Sequence, residues 1–360
     1  MRVFLSVIFT VIVFSASCQE GQFSQYFSTS ALLNPAFTGA LPNITLNSNF
    51  SRAGNPFSEE YLELMQTTFT YPFRKFTSRF NQVGGAGVTF FKETRGYRSL
   101  YSNTKVLLSG AYTMKLSKLS NQYLIFGLQG GMVLQSIDAN KLRWGSQFTR
   151  YFANPGNPVD AGYDGSKPGE FDVNGIGDPR QYSNYPIFNF GVIYTVFDNA
   201  NFYIRDKTLT VGLSIDNLNR PNVSYLQGPD IRKFWLIKAF GSAKMELGPR
   251  WFIYPSAYIA YSQGSLQANA GTYFSTFVSS VRSNTAVMLQ LGSWYRIGDS
   301  FIGMFGFQVE NIRMGFSLGM NDQTFELVRA KGSKLPTYEV SLTYNLSLKS
   351  PMGNVSSPIF

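Results

Sequence analysis

The chain has 360 residues, of which 44% are hydrophobic and 16% aromatic, while only 14% are charged. It contains no histidine and a single cysteine, and its formal net charge is +10. An intrachain disulfide and a Ser/His/Asp triad are therefore excluded, and the commonest metal ligand is missing. A soluble domain usually carries about 25% charged residues, so the charge deficit itself argues against an ordinary soluble fold. The lysines and arginines are scattered among turns and polar faces without a basic cluster, so nucleic acid is not the expected partner. Attraction to anionic lipid or surface glycans is the simpler account of the excess positive charge.

In chain order, Arg2 is followed by an apolar run from Val3 to Phe14 and then Ser15-Ala16-Ser17. A charged start, a short apolar core and a small-residue site read as a cleaved secretory signal over residues 1–18. The run is shorter than the about 20 residues of a membrane-spanning helix. The small triplet before Cys18 also allows a lipoprotein signal, but Ser15 stands where an aliphatic residue is usual, so plain cleavage is preferred. Residues 19–43 form a lead-in without strand period, expected to be a periplasmic segment or a plug. No later stretch reaches about 18 consecutive apolar residues, which excludes an inner-membrane helical protein.

From Ile44 onward, period-2 segments bounded by turn residues recur about fourteen times. They cover Ile44–Arg52, Tyr61–Phe73, Val83–Lys92, Tyr101–Lys115, Gln122–Gln135, Ile187–Phe197, Lys207–Asn217, Phe234–Leu247, Trp251–Ser262, Leu266–Val278, Thr285–Arg296, Phe301–Glu310, Ile312–Met320 and Pro336–Leu348. In the last, Tyr338, Val340, Leu342, Tyr344 and Leu346 share one face, and Thr337, Glu339, Ser341 and Thr343 the other. Taken alone, such a strand fits a soluble sandwich as well as a barrel. Combined with an export signal, low charge and abundant Phe and Tyr, it reads as lipid outside and a polar lumen inside. The expected fold is all-β, a transmembrane antiparallel barrel over residues 44–348 in the outer membrane of a Gram-negative cell. Ile297-Gly298-Asp299 and Glu310-Asn311 read as tight periplasmic turns. The link Ile137–Pro186 reads as a long extracellular loop, and residues 349–360 as a tail.

No catalytic constellation is present: neither G-x-S-x-G, a Walker loop nor a dinucleotide fingerprint occurs, so no enzyme and no cofactor is expected. Asp160, Asp164, Asp172 and Asp178 lie in the long loop, but their spacing fits no calcium loop, and solvated turn aspartates are the preferred reading. Trp144, Phe148 and Tyr151 cluster where that loop begins and are the candidate aromatic contact for a partner at the barrel mouth.

The segment after the signal carries the most specific motif: Gln22-Phe23-Ser24-Gln25-Tyr26-Phe27, then Asn34-Pro35-Ala36-Phe37-Thr38-Gly39. Further stretches follow in order: Phe126–Gly131, Leu142-Arg143-Trp144, Phe188–Val192, Gly212–Leu218 with Pro221, Trp294-Tyr295-Arg296 and Glu339–Tyr344. Together these resemble the PorP/SprF family of type IX secretion and gliding proteins, over nearly the whole chain. Tyr338 stands where that family usually has histidine. The resemblance implies a non-enzymatic outer-membrane barrel that helps secrete or anchor an adhesin-like surface protein through its C-terminal domain, with other secretion-system or periplasmic components as further partners. It also points to Gln22, Phe23, Gln25, Tyr26, Asn34 and Pro35 as partner-contact candidates beside a structural role for the same segment. The alternative is a channel for small or hydrophobic solutes.

Overall fold

The computed structural model describes residues 21–40, 43–54, 60–74, 82–116, 121–138, 180–198, 207–225, 230–248, 250–278, 287–321 and 336–346. A four-residue helix α1 (Ser30–Leu33) and a 3-10 turn (Pro35–Gly39) precede the sheet. The strands are β1 (Ile44–Ala53), β2 (Glu60–Arg74), β3 (Gln82–Tyr97), β4 (Tyr101–Lys115), β5 (Asn121–Asp138), β6 (Arg180–Asp198) and β7 (Lys207–Asp216). The second half holds β8 (Leu236–Gly248), β9 (Trp251–Ser262), β10 (Ser265–Phe277), β11 (Val287–Arg296), β12 (Ser300–Val309), β13 (Ile312–Asn321) and β14 (Pro336–Leu346). Each strand pairs with its sequence neighbours, and β1 pairs antiparallel with β14 from Ile44↔Leu346 to Ala53↔Thr337, which closes the barrel. Closure leaves no sheet edge, the condition for strands to survive in hydrocarbon where nothing else can satisfy backbone polar groups.

Alternation sets the two faces. On β14, Tyr338, Val340, Leu342, Tyr344 and Leu346 point outward, while Glu339 and Ser341 are buried inside. On β4, Val106, Leu108, Tyr112 and Met114 point out and Ser109 and Thr113 point in. The outer surface carries a band of large apolar side chains, including Leu128, Leu213, Leu266, Leu291 and Phe301. In water such a band could not stay uncovered; in a bilayer it is the lipid contact.

All the expected strands are present, with two corrections. First, the link read as Ile137–Pro186 is shorter, because β5 reaches Asp138 and β6 starts at Arg180. The early part of β6 inverts the usual rule: Asn184 and Pro186 face out, while Tyr185 and Ile187 face in against Leu107 and Val133. The apolar-out pattern therefore does not extend to this part of the strand. Second, Ile297–Asp299 and Glu310–Asn311 cannot both be periplasmic, because β12 runs between them and a meander alternates its turns between the two ends. Glu310–Asn311 lies at the end where β1 begins and β14 finishes. Ile297–Asp299 lies at the opposite end, with the links at 98–100, 139–179, 217–235 and 322–335. That end is the loop end below; the other is the terminus end. Residues 139–179, with Asp160, Asp164, Asp172 and Asp178, lie outside the described residues, as do the signal and the tail.

Candidate functional site: the occupied lumen

The barrel interior is two-sided. From β14 through β1 to β3 the inner face is polar: Glu339, Ser341, Thr45, Asn47, Asn49, Gln66, Thr68, Thr70 and Thr89 are buried there. Asn47 Nδ2 donates to Thr343 Oγ1 at 2.8 Å across the β1–β14 closure, and Asn49 Nδ2 to Gln66 Oε1 at 2.5 Å across β1–β2, so these amides stiffen the wall on both sides of β1. From β4 to β12 the inner face is largely apolar and aromatic, with Ile125, Ile193, Phe240, Tyr254, Tyr258, Tyr273, Trp294 and Ile302. The sequence reading expected a polar lumen, with residues 19–43 as a periplasmic lead-in or a plug. Half of the wall is instead built to pack against something.

Residues 21–40 are what it packs against. Their polar groups meet the polar wall. Ser24 N–H donates to Glu339 Oε2 at 2.6 Å and Gln25 N–H to Glu339 Oε1 at 2.8 Å. Ser341 Oγ donates to Gln25 Oε1 at 2.7 Å, and Ser28 Oγ to Asn49 Oδ1 at 2.5 Å. Their rings meet the aromatic wall. Tyr26 stacks on Tyr258 with centroids 5.3 Å apart, Phe27 on Trp294 at 5.0 Å, and Phe37 lies on Phe240 at 5.1 Å. The Tyr26 hydroxyl and Trp294 Nε1 both donate to Ser256 Oγ, at 2.8 and 3.2 Å.

Asn34 anchors the lower half. Its Nδ2 donates to Val192 O at 3.2 Å and Leu213 O at 2.9 Å, while its Oδ1 accepts from Ala36 N–H at 2.9 Å and caps the 3-10 turn. Pro35 takes the first position of that turn, where its missing N–H costs nothing. Nearby, Lys238 Nζ donates to Leu32 O at 2.5 Å and pairs with Asp216 at 2.7 Å, so a buried cation is satisfied on both counts. Inward glycines admit the backbone: a Cβ on Gly127 would come within 2.5 Å of Ala36 Cα, and one on Gly191 within 2.7 Å of Asn34 Cγ.

These motifs, and those of the barrel that receive them, belong to one recognised pattern. A family profile described as type IX secretion system membrane protein PorP/SprF matches residues 15–344. The chain belongs to the PorP/SprF family. It is a membrane barrel of the type IX secretion system, and neither this family nor this fold is an enzyme class. Among solved structures, a Pseudomonas aeruginosa FadL homologue is similar at 11% identity and TM-score 0.44, covering 88% of this chain and 94% of its own. The toluene transporter TodX of Pseudomonas putida follows at 8% identity and TM-score 0.44, covering 91% and 94%. BamA from Haemophilus ducreyi matches at 12% identity and TM-score 0.38, covering 95% and 82%. No curated protein matches the sequence.

In this PorP/SprF chain the motif residues Phe23, Gln25, Tyr26, Asn34 and Pro35 come together inside the barrel, where all are buried, and Gln22 is half-buried beside them. The side chains of Phe23, Gln25, Tyr26 and Asn34 are engaged by the wall. Trp144, Phe148 and Tyr151 lie outside the described residues. Sequence reading did not find Lys238, Ser256 or the receiving glycines as parts of this site. The available signal was the repeated placement of glycine on the inward face.

Glu339 holds two backbone N–H groups and, among the described residues, forms no ion pair, so it acts as a fixed acceptor for the plug. Glu339→Leu strands both donors at about 1–3 kcal/mol each. Residues 21–28 should then become cleavable by added protease in detergent, while the heat-modifiable mobility of the barrel is retained. Unchanged protection would show that the aromatic contacts alone hold the segment. The Tyr26 phenol is pushed up to about 12, mainly by burial, with Ser256 and Trp294 opposing. Between the ordinary phenol pKa and this value the unfolded chain binds fewer protons than the folded one, so stability falls as pH rises. Tyr26's contribution to plug retention should be flat below about pH 10 and weaken above it, by up to about 1.4 kcal/mol per pH unit. Tyr26→Phe should remove this tyrosine's share of that loss.

Proposed function

We propose that this barrel is a closed outer-membrane anchor that helps secrete or hold an adhesin-like surface protein through that partner's C-terminal domain. The observation that carries this reading is the occupied lumen. A wall that spends Glu339, Asn49, Lys238, Ser256 and four or more aromatic rings on a segment of its own chain is organised for closure. The partner would be engaged from the loop end, which holds the longest links and so faces outward under the barrel rule of short periplasmic turns and long external loops. Trp144, Phe148 and Tyr151 are the proposed aromatic contact there, and gliding would follow from retention of the adhesin. Affinity purification from detergent, with mass spectrometry of what accompanies the barrel, tests the reading. A large secreted protein lost on combined alanine substitution at 144, 148 and 151 supports it; unchanged retention and secretion overturn the contact assignment.

A second reading, a channel for small or hydrophobic solutes, is favoured by one feature. The β8–β9 ladder pairs Ser242 with Ser256 and Met245 with Ile253 but skips Ala243 and Lys244 opposite Tyr254 and Pro255. Pro255 has no N–H to give, so the ladder is interrupted there. A small cleft between Phe27 and this part of the wall, bordered by Thr208, Ser242 and Tyr273 and with room for about one water, lies directly inside the interruption. Planar-bilayer recording separates the two: steady conductance of the native chain favours the channel, and its absence favours the anchor.

A further inference from the structure

The link between β7 and β8 forms a basic, aromatic patch at the loop-end rim of the lipid face. Its two described arms are joined by backbone: Lys233 N–H donates to Pro221 O at 2.9 Å, Val223 N–H to Ile231 O at 2.8 Å, and Asn222 bridges to Arg232. Asn219 ties the turn to β6, accepting from Phe188 N–H at 3.3 Å and donating to Pro186 O at 2.8 Å. Val223 packs inward on the cluster of Leu107, Val133, Tyr185 and Ile187. Leu218, Ile231, Phe234 and Trp235 stay exposed. Trp235 stands just before Ile237, which is exposed on the same outer surface as Leu213 of the lipid-facing band.

The charge of this patch is one-sided. Arg220, Arg232 and Lys233 stand against Asp230 alone, three cations to one anion. The Arg220 guanidinium lies over both rings, with Cζ 5.6 Å from the Phe234 centroid and 5.8 Å from that of Trp235. Stacking on ring faces fixes a guanidinium while leaving its N–H edges available for an anion. Arg220 has no acidic partner among the described residues, because Asp216 pairs with Lys238 and Asp230 with Arg232. The turn also holds Arg220 at φ 43° and Asn217 at φ 60°, a left-handed backbone that is uncommon for arginine.

We propose that this patch binds the phosphate of an anionic lipid headgroup, with Arg220 as its ligand and Phe234 and Trp235 seated where acyl chains meet headgroups. A guanidinium edge matches two phosphate oxygens, and basic side chains at the surface attract anionic lipid. Amphipathic rings such as that of Trp235 favour the headgroup level. Continuity decides the occupant. The exposed rings adjoin the lipid-facing band, so a headgroup reaches Arg220 without displacing anything, whereas an acidic protein segment would have to enter the headgroup layer. The basic cluster is absent from the linear sequence and forms only when the two arms of the link pair.

Tryptophan quenching in vesicles tests it. The full chain is refolded into mixed phosphatidylcholine and phosphatidylglycerol vesicles, with bromine on the acyl chains of one lipid or the other. The Trp235 signal is the difference between the native chain and Trp235→Phe. The expected result is at least a fivefold preference of Trp235 for phosphatidylglycerol. Arg220→Gln should bring that preference near unity, Arg220→Glu should invert it, and Arg220→Lys, which keeps the charge without the fork, should fall between. Heat-modifiable mobility checks that each variant has folded. No preference in the native chain overturns the proposal, as does a preference that Arg220→Gln and Arg220→Glu leave unchanged. If inorganic phosphate abolishes the preference where sodium chloride at equal ionic strength does not, the patch takes soluble phosphate and the lipid assignment falls. It falls equally if a soluble polyglutamate peptide shields Trp235 from both brominated lipids. Should no Arg220 variant fold, Phe234→Leu removes one ring from under the guanidinium: a lowered preference supports the proposal and an unchanged one overturns it. Both leaflets of these vesicles carry phosphatidylglycerol, so the result does not depend on which end of the barrel faces outward or on the proposed anchoring of a partner.

Discussion

Gly191→Leu should expel the plug at Asn34 and convert a closed barrel into a conducting one. Gly191 lies on the inner face of β6, paired with Gly127 on β5, and a Cβ there would fall on Asn34 Oδ1 and lie 2.9 Å from Pro35 Cδ. Asn34 is fully buried and spends its whole side chain on Val192 O, Leu213 O and Ala36 N–H, so it has no second position to adopt. Overpacking costs about 1–3 kcal/mol, and each hydrogen bond lost as the plug shifts adds about 0.5–1.5 kcal/mol. The β5–β6 ladder is backbone and tolerates the change. The barrel should keep its heat-modifiable mobility while single-channel conductance rises at least tenfold over the native chain. Gly303→Leu is the control, since a Cβ at Gly303 meets nothing within 4 Å. A folded Gly191→Leu barrel that conducts no better than the native chain would show that residues 21–40 are not the seal.

Leu342→Arg should cost ~2–4 kcal/mol of stability in a bilayer, because the side chain faces lipid near the middle of β14. Tyr338 and Leu346 sit on the same face toward the two ends of the strand, where the cost of arginine falls to about 0–1 kcal/mol. Urea titration of barrels refolded into lipid vesicles measures the gradient. Equal costs at 338, 342 and 346, or a neutral Leu342→Arg, would sink the assignment of this face to lipid.

The strands were legible because each one crosses two solvents of opposite polarity, and a period of two residues is the direct imprint of that crossing. Val106, Leu108, Tyr112 and Met114 announce β4 without any neighbour. Legibility failed where the outside stops being apolar, as at Asn184 and Pro186, and where an inward position turns apolar, as at Tyr185, Ile187 and Val133. Those residues answer to a packed interior, and alternation cannot distinguish a packed interior from an open one. The turns failed for a different reason: their length does not record which end they occupy, and only counting strands assigns Ile297–Asp299 and Glu310–Asn311 to opposite ends.

The candidate site divides the same way. Gln22–Phe27 and Asn34–Gly39 stood out as motifs, and Glu339 as an inward acid, but each was read alone. Glu339 and Ser24 are 315 positions apart, and Asn34 reaches Leu213 over 179, so nothing local links them.

By itself, then, the sequence determined a fourteen-stranded wall with lipid on one face, since that property is written residue by residue in side-chain polarity. Only the tertiary structure decided what fills the wall. An amphipathic segment of the chain's own N-terminal part is matched to a two-sided lumen and runs from the loop end down to β1. Those partners lie far apart in the chain and meet only when β1 and β14 close.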